Sequence, residues 1–293
     1  MNTGRIGLGC ATFGREITEA ESFAVMDHAV KRGIRLFDTA EAYSAGLSEQ
    51  IVGRWVRSRG ARGEVVLLTK VTRNFTREHV REALAASLER LQTEAVDLYL
   101  CHSFDPATPP EETCEAMNDA VRGGFARSIG CSNYTGAQFE AALATSESRG
   151  HARFEVVENA YNLVSREIES DLLPITTPRQ IRVLGYSPLA AGFLMGKYSP
   201  DRSQIPKGTR FDVVPGHADV YFSDRNFRTV ERLKDLAGRA GLPVERLAMA
   251  WAFQNPGVDT VLVGARSTTH LDNAFQALET DLRREWIAEM ATL

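Results

Sequence analysis

The sequence is poor in several things, and each shortage closes a class of function. No run approaches the about 18 consecutive apolar residues that a membrane-spanning helix needs, so no membrane partner is expected. The opening residues, MNTGRIGLG, hold no basic stretch followed by an apolar one, and a secretory leader is not expected. Cysteine is scarce. Cys10, Cys101, Cys114 and Cys131 are the four, and none forms a C-x-x-C pair of the zinc-ribbon or thioredoxin kind. Reduced thiols in a cytoplasmic protein are the simpler expectation. Positive charge is not in excess either: 34 Lys and Arg stand against 38 Asp and Glu, a net charge of -4. A surface that coats nucleic acid shows a basic stripe, so no nucleic-acid partner is expected, although a local basic pocket for one phosphate is compatible with this balance. No segment is of low complexity, and no linker or break in composition divides the chain.

What is present is an alternation. With 43% hydrophobic and 25% charged residues over 293 positions, the composition is that of a globular protein, and α/β barrels of about 250 residues commonly form one domain. Short apolar runs that suit strands lie at 6–9, 34–38, 64–70, 95–102, 125–133, 152–162, 181–189 and 258–265. The run EVVLLTK is nearly continuous, as a parallel strand buried on both faces requires. Between the runs, helical spacing predicts helices at 19–33, at 48–59 with Ser48 as cap, and at 76–91 with Thr76 as cap. Further helices are predicted at 110–121, 135–147, 166–173 (stopping before Pro174), 227–240, 246–254 and 268–278, with another in the tail from 281. Residues 190–222 are rich in Gly, Pro and Asp without a clear period, and read as a long surface excursion. Strands followed one by one by helices imply parallel pairing and right-handed crossovers. About eight such units predict an α/β fold of the (β/α)8 TIM-barrel kind, one domain over residues 1–293; an open doubly wound sheet is the alternative.

In a parallel barrel the active site forms at the carboxyl ends of the strands. The polar residues that end the apolar runs are Asp38, Lys70, His102, Ser132 with Asn133, Glu158 with Asn159, Tyr186 and Arg266, with Tyr43 just beyond Asp38. Each has a plain structural role open to it. Lys70 is where a strand meets water, His102 a satisfied core histidine, Asp38 a cap for the turn at Thr39, Tyr43 a loop aromatic. Their conjunction at consecutive strand ends points instead to one site. The chemistry is coherent: a phenol, with a pKa of about 10, is brought towards proton exchange by a neighbouring ammonium, a carboxylate holds that ammonium, and an imidazole orients a carbonyl oxygen. A zinc site built from Cys10, Cys101, His102 and Cys131 is a weaker alternative, since the spacing is not that of zinc ligands; no metal is expected. Gly7-Leu8-Gly9 lacks the third glycine of a dinucleotide-binding turn.

The stretches LFDTAEAYSAGLSEQIVG (36–53), TK (69–70), VDLYLCH (96–102), IGCSNY (129–134), GYSPLAAGFLMGKY (185–198) and VLVGARS (261–267) resemble aldo-keto reductase motifs, in order and over nearly the whole chain. The resemblance implies a barrel that binds a nicotinamide cofactor across its mouth. It implies a catalytic tetrad of Asp38, Tyr43, Lys70 and His102. It implies a carboxamide site at Ser132 and Asn133, with Glu158 beside it, and Tyr186 under the nicotinamide ring. Ser187, Leu189 and Gly192 fall near the pyrophosphate. Gly264 to Ser267 and His270 fall at the adenosine end, with Arg266 for a 2'-phosphate. Thr12 and Phe13 lie near cofactor and substrate, and the loop 211–226 borders one or the other. Three positions depart from the family's pattern: Glu158 stands where Gln is usual, Ala160 where an acid is usual, and Asn273-Ala274 where Glu-Asn is usual.

The expected function is reversible, NADP(H)-dependent reduction of an aldehyde or ketone, sugars and keto-sugars included, to the alcohol, with Tyr43 as general acid and base. NAD is the alternative cofactor. The alternative function is a non-catalytic, cofactor-sensing subunit, because the family includes barrels that attach to channels; the lack of an N-terminal extension counts against it. An ionised Glu158 beside the nicotinamide is expected to favour the oxidised, cationic ring.

Overall fold

A computed structural model describes residues 3–293. Met1 and Asn2, at the head of the stretch read for a leader, lie outside the described residues. Eight strands close into a barrel in chain order: β1 (Ile6–Gly9), β2 (Leu36–Asp38), β3 (Val66–Val71), β4 (Val96–Cys101), β5 (Ala126–Ser132), β6 (Phe154–Ala160), β7 (Arg182–Tyr186) and β8 (Thr260–Gly264). Every neighbouring pair is parallel, and β1 meets β8 from Ile6 opposite Val261 to Gly9 opposite Gly264. That closure makes the fold the expected (β/α)8 barrel and removes the doubly wound alternative. Among the described residues, no helix is long and apolar enough to cross a membrane.

The period of two along each strand sorts the side chains. One set, Leu36, Leu68, Leu98, Leu100, Val156, Leu184 and Leu262, packs into a small buried cluster of its own. The alternate set, including Phe37, Leu67, Val71, Tyr99, Cys101, Ile129, Cys131, Val157, Val183 and Val261, joins the larger core shared with the helices. Continuing the inner set upward along the strands gives Asp38 after Leu36, Lys70 after Leu68, His102 after Leu100, Glu158 after Val156 and Tyr186 after Leu184. The barrel therefore has an apolar floor and a polar mouth made from the same strand faces.

The helices differ from expectation at three places. Ser48 does not cap the helix Leu47–Arg59: Gly46, at φ 86°, holds the N-cap position. Ser48 lies within the first turn and is buried, donating to the Cys10 carbonyl at 2.9 Å and pairing with the Thr39 hydroxyl at 2.8 Å. Thr76 does occupy the N-cap position of Arg77–Leu91, but its hydroxyl makes no capping bond and turns to Asn74. The chain does not stop being helical at Pro174, because a second short helix, Leu173–Thr176, takes that proline in its first turn, where its missing N–H costs nothing.

Residues 190–222 hold helical turns at Ala190–Met195, Arg202–Gln204, Arg210–Val213 and His217–Tyr221. They pack round a knot of rings, in which Phe193 meets Phe211, Tyr221, Phe222 and Phe227. Burial of this aromatic area, rather than a helical period, is what orders the segment.

Candidate active site

The barrel mouth opens into a cavity of about 520 Å³. Fourteen of the residues singled out from the sequence line it: Thr12, Asp38, Tyr43, His102, Ser132, Asn133, Glu158, Tyr186, Ser187, Leu189, Gly192, Gly264, Arg266 and His270. Asn159, Ala265 and Ser267 are not in its lining, and Lys70 is fully buried beneath the cavity floor. Phe13 is also fully buried and packs in the core rather than facing the cavity.

Lys70 is the centre of a cluster. Its Nζ contacts Asp38 Oδ1 as an ion pair and lies 3.3 Å from Glu158 Oε1. It also donates to the Thr39 carbonyl at 3.2 Å and to the Tyr43 hydroxyl at 3.4 Å. Burial pulls the ammonium's pKa down, but Asp38, Glu158 and Tyr43 more than reverse this and hold it well above the ordinary lysine value. Burial likewise pushes Asp38 up, against the pull of Lys70. Glu158 is pushed up to about 8, first by burial and then by the Asp38 charge, with Lys70 opposing. The ordinary carboxylate pKa expected for Glu158 is thus overturned, for want of water around it.

Tyr43 sits in a 3-10 turn, Tyr43–Gly46, whose Ser44 and Ala45 are both left-handed at φ 52°. Three bonds fix the turn: the Ser44 hydroxyl donates to the Phe13 carbonyl at 2.9 Å, Ser48 anchors to Cys10, and the Thr72 N–H donates to Glu41 at 2.7 Å. Burial raises the phenol's pKa above its ordinary value, and the Lys70 ammonium pulls only part of that back against the Asp38 and Glu158 charges. The expected net lowering by the ammonium is therefore not what this arrangement gives: the phenol is held in its proton-bearing form. His102 meets the Tyr43 ring edge-on, with centroids 5.5 Å apart. Burial, helped by Lys70, drives its pKa down to about 3, so the imidazole is neutral, and its Nδ1 has no protein partner. A protonated phenol and a neutral imidazole side by side can both serve one carbonyl oxygen.

One wall of the cavity is a hydrogen-bonded set. Asn133, left-handed at φ 58°, donates from Nδ2 to the His102 carbonyl at 2.9 Å and to the Ser132 hydroxyl at 3.0 Å, and accepts at Oδ1 from the Tyr186 hydroxyl at 2.7 Å. Asparagine is among the few residues that tolerate this backbone region. The far end of the cavity is cationic. Arg266 donates to the Gly208 carbonyl at 3.1 Å, its N–H bonds to His270 Nδ1 at 3.0 Å, and Lys197 lies near enough for burial and then Arg266 to depress the Lys197 ammonium. A Cβ at Gly264 would project into open space, so that glycine leaves room at the mouth.

The loop 211–226 borders the cavity as expected, through His217, Val220 and Tyr221, while Glu16 and Arg210 line it without having been singled out. Glu16 and Arg210 form an ion pair that ties the loop after β1 to the segment after β7. Nothing local marks Glu16 or Arg210; Lys197-Tyr198, also in the lining, carried signal only as the end of a motif. The cysteines take no part in the site. Strand alternation sends Cys101 and Cys131 outward to the helix layer, opposite to His102, and burial pushes all four thiols up. Among the described residues, no group of three His, Cys, Asp or Glu is placed to hold a metal ion.

Comparison with known proteins gives this geometry a context. The model of the aldo/keto reductase family matches residues 5–293. The chain is 32% identical to the uncharacterized oxidoreductase YrpG of Bacillus subtilis (strain 168), over 97% of this chain and 90% of that protein. It is 33% identical to a probable voltage-gated potassium channel subunit beta of Oryza sativa subsp. japonica, over 95% and 90%. It is 29% identical to the versiconal hemiacetal acetate reductase of Aspergillus parasiticus, over 98% and 92%.

Proposed function

The chain belongs to the aldo/keto reductase family and is an NAD(P)H-dependent oxidoreductase of that kind, and from this premise we propose how its own residues perform carbonyl reduction. The observation that carries the proposal is the convergence of the Tyr43 hydroxyl, the Lys70 ammonium at 3.4 Å and the neutral His102 at one end of a cavity whose other end is cationic. The nicotinamide, when bound, supplies the hydride. Tyr43 delivers a proton from its hydroxyl to the substrate oxygen as that oxygen gains negative charge. Lys70 offsets the charge left on the phenolate, and Asp38 keeps Lys70 in place. His102 donates a hydrogen bond that orients the carbonyl. In alcohol oxidation the same groups run in reverse, with Tyr43 accepting the proton.

The residues fit a dinucleotide. Ser132, Asn133 and Glu158 would hold the carboxamide, and Tyr186 would offer its ring to the nicotinamide. Thr12, Ser187, Leu189 and Gly192 line the middle of the path. Gly264, Arg266, His270 and Lys197 receive the adenosine end. Two cations there favour a 2'-phosphate and so NADP over NAD. Buried polar atoms without protein partners, Glu158 Oε2 and His102 Nδ1 among them, are the kind that a ligand satisfies. The substrate is an aldehyde or ketone, with sugars and keto-sugars included; Glu16, Arg210 and His217 offer it polar contacts, and Val220 and Met249 apolar ones.

The test is turnover with NADPH over a panel of simple aldehydes, sugars and keto-sugars in both directions, for the parent chain and for Tyr43→Phe. Loss of the phenol should reduce kcat by about 100- to 10,000-fold while NADPH still binds. A near-normal kcat in the Phe variant sinks the assignment. The channel-subunit relative favours a second reading, a cofactor-sensing subunit; NADPH binding with parent turnover no greater than that of Tyr43→Phe across the panel would support it.

A further inference from the structure

The inner faces of the strands end in one carboxyl that the proton transfer at Tyr43 does not use. Glu158 lies on β6, level with Ser132 on β5 and Leu184 on β7. It is only 2% exposed and lines the cavity. Its Oε1 faces Lys70 Nζ at 3.3 Å, but its Oε2 is buried with no hydrogen-bond partner. Lys70 already holds Asp38. Two ionised carboxyls around one ammonium would leave a net negative charge in a site shut off from water, which is costly. A proton kept on Glu158 removes that charge and gives Oε2 a hydrogen to donate.

Taking the oxidoreductase reading above as its premise, we propose that Glu158 is a proton-linked selector of the oxidation state of the bound nicotinamide nucleotide. With its proton on, it donates to the carboxamide as an amide side chain does and adds no charge. With its proton off, its charge favours the cationic, oxidised ring over the neutral, reduced one. Binding of the oxidised nucleotide then draws the proton off Glu158, and binding of the reduced nucleotide leaves it on. By linkage, the preference between the two nucleotides must change with pH wherever the two complexes hold different numbers of protons.

The groups that face Glu158 leave this titration to it. From β2, Asp38 is in contact with Lys70 and holds the first charge of the pair. From β3, Lys70 stays charged, being held well above its ordinary value. Tyr43, from the turn after β2, and Tyr186, at the end of β7, are both pushed up by burial. His102, beyond β4, is neutral down to about 3. Cys10, after β1, is pushed well up. Glu158, at about 8, is the group left to change state between neutral and mildly alkaline pH, as the second proton of a carboxyl pair sharing one lysine.

The experiment is the ratio of dissociation constants, Kd(NADP+) over Kd(NADPH), measured with the full chain from about pH 6.5 to about pH 9.5, for the parent and for Glu158→Gln. The two nucleotides share an adenosine end, so titration of the 2'-phosphate, of His270 or of His217 cancels in the ratio. In the parent the ratio should fall about tenfold as pH rises, which is what a one-unit difference in Glu158 pKa between the two complexes gives. In Glu158→Gln it should stay within about twofold. A flat ratio in the parent with both nucleotides bound overturns the assignment, as does an equal slope in the Gln variant. A measurement that needs no variant is the infrared difference spectrum of the parent at neutral pH. NADP+ should cut to roughly half a protonated-carboxyl band that NADPH leaves nearly whole, as a one-unit difference in pKa gives at neutral pH, and a band untouched by either nucleotide overturns the proposal. Failure of either nucleotide to bind at any pH sinks the oxidoreductase reading itself, and is thereby distinct from a flat ratio.

Discussion

Lys70 has no exposed surface, and a lysine so placed persists only when its charge is matched and its donors are used. Here Asp38, Glu158, the Thr39 carbonyl and the Tyr43 hydroxyl surround it, so it acts as a fixed charge under the phenol. The opposite end of the cavity works differently, because Arg266 and Lys197 are exposed and available to a ligand. A guanidinium can fork onto a phosphate, and a charge-assisted hydrogen bond contributes roughly 1.5–3 kcal/mol. We therefore expect the parent to bind NADPH more tightly than NADH, and Arg266→Ala to lose about tenfold or more of that preference. Fluorescence titration with both nucleotides checks it; equal affinities in the parent count against a phosphate role for Arg266. This much was legible in sequence, since Arg266 follows an apolar strand directly. Lys197 was marked only as the end of a motif; that it reaches the same spot, from a segment with no period of its own, is a tertiary fact.

At the scale of elements, the decisive irregularity lies between β5 and β6. The register slips between Ile129 and Gly130, which brings Ser132 level with Glu158. Gly130 packs against β6 so closely that a Cβ there would overlap the Val156 carbonyl oxygen. Backbone cannot swing aside as a side chain can, so Gly130→Ala should force β5 and β6 apart. Overpacking of this kind costs about 1–3 kcal/mol. It should show as a lower urea midpoint and, because Ser132 and Asn133 ride on β5, as weaker NADPH binding. An unchanged midpoint would mean that the strands accommodate the methyl group without moving. The sequence marked the glycine only as part of a motif. The reason for it, a close approach between strands, is a tertiary fact. The same holds for Ser48, whose hydroxyl looked like a helix cap but clips the Tyr43 turn to the end of β1.

For the whole molecule, the cavity is walled by β1, β2 and β5 to β8, by the loop after β1 and by the segment after β7, with Glu16 and Arg210 joining the last two across the mouth. A ligand that fills it touches pieces from every part of the chain and stabilises them together. NADPH at about 100 times its Kd should add about 2.7 kcal/mol to the folded state. For a chain of this size that is a rise in Tm of about 4 °C. NADH at the same concentration should give a smaller rise. Thermal melts with each nucleotide check this, and equal shifts would speak against a site that recognises the 2'-phosphate.

The barrel and the order of its site follow from the order of residues along the chain. Residues two apart on a strand share a face, so a run such as Leu68-Thr69-Lys70 must set Lys70 above Leu68, and eight such runs must bring Asp38, Lys70, His102, Ser132, Glu158 and Tyr186 to one rim. The protonation at that rim depends instead on how the strands and loops pack in space. Glu158 reads as an ionised carboxylate and Tyr43 as a phenol eased towards ionisation, because free side chains in water behave so. Their state in the fold is set by the loss of water and by charges from distant strands. Likewise Glu16, Arg210 and Lys197 join the site through contacts between loops that share no local pattern: burial of the aromatic knot of Phe193, Phe211, Tyr221 and Phe222 fixes the chain that carries Arg210 and Lys197, and Glu16 meets Arg210 across the mouth.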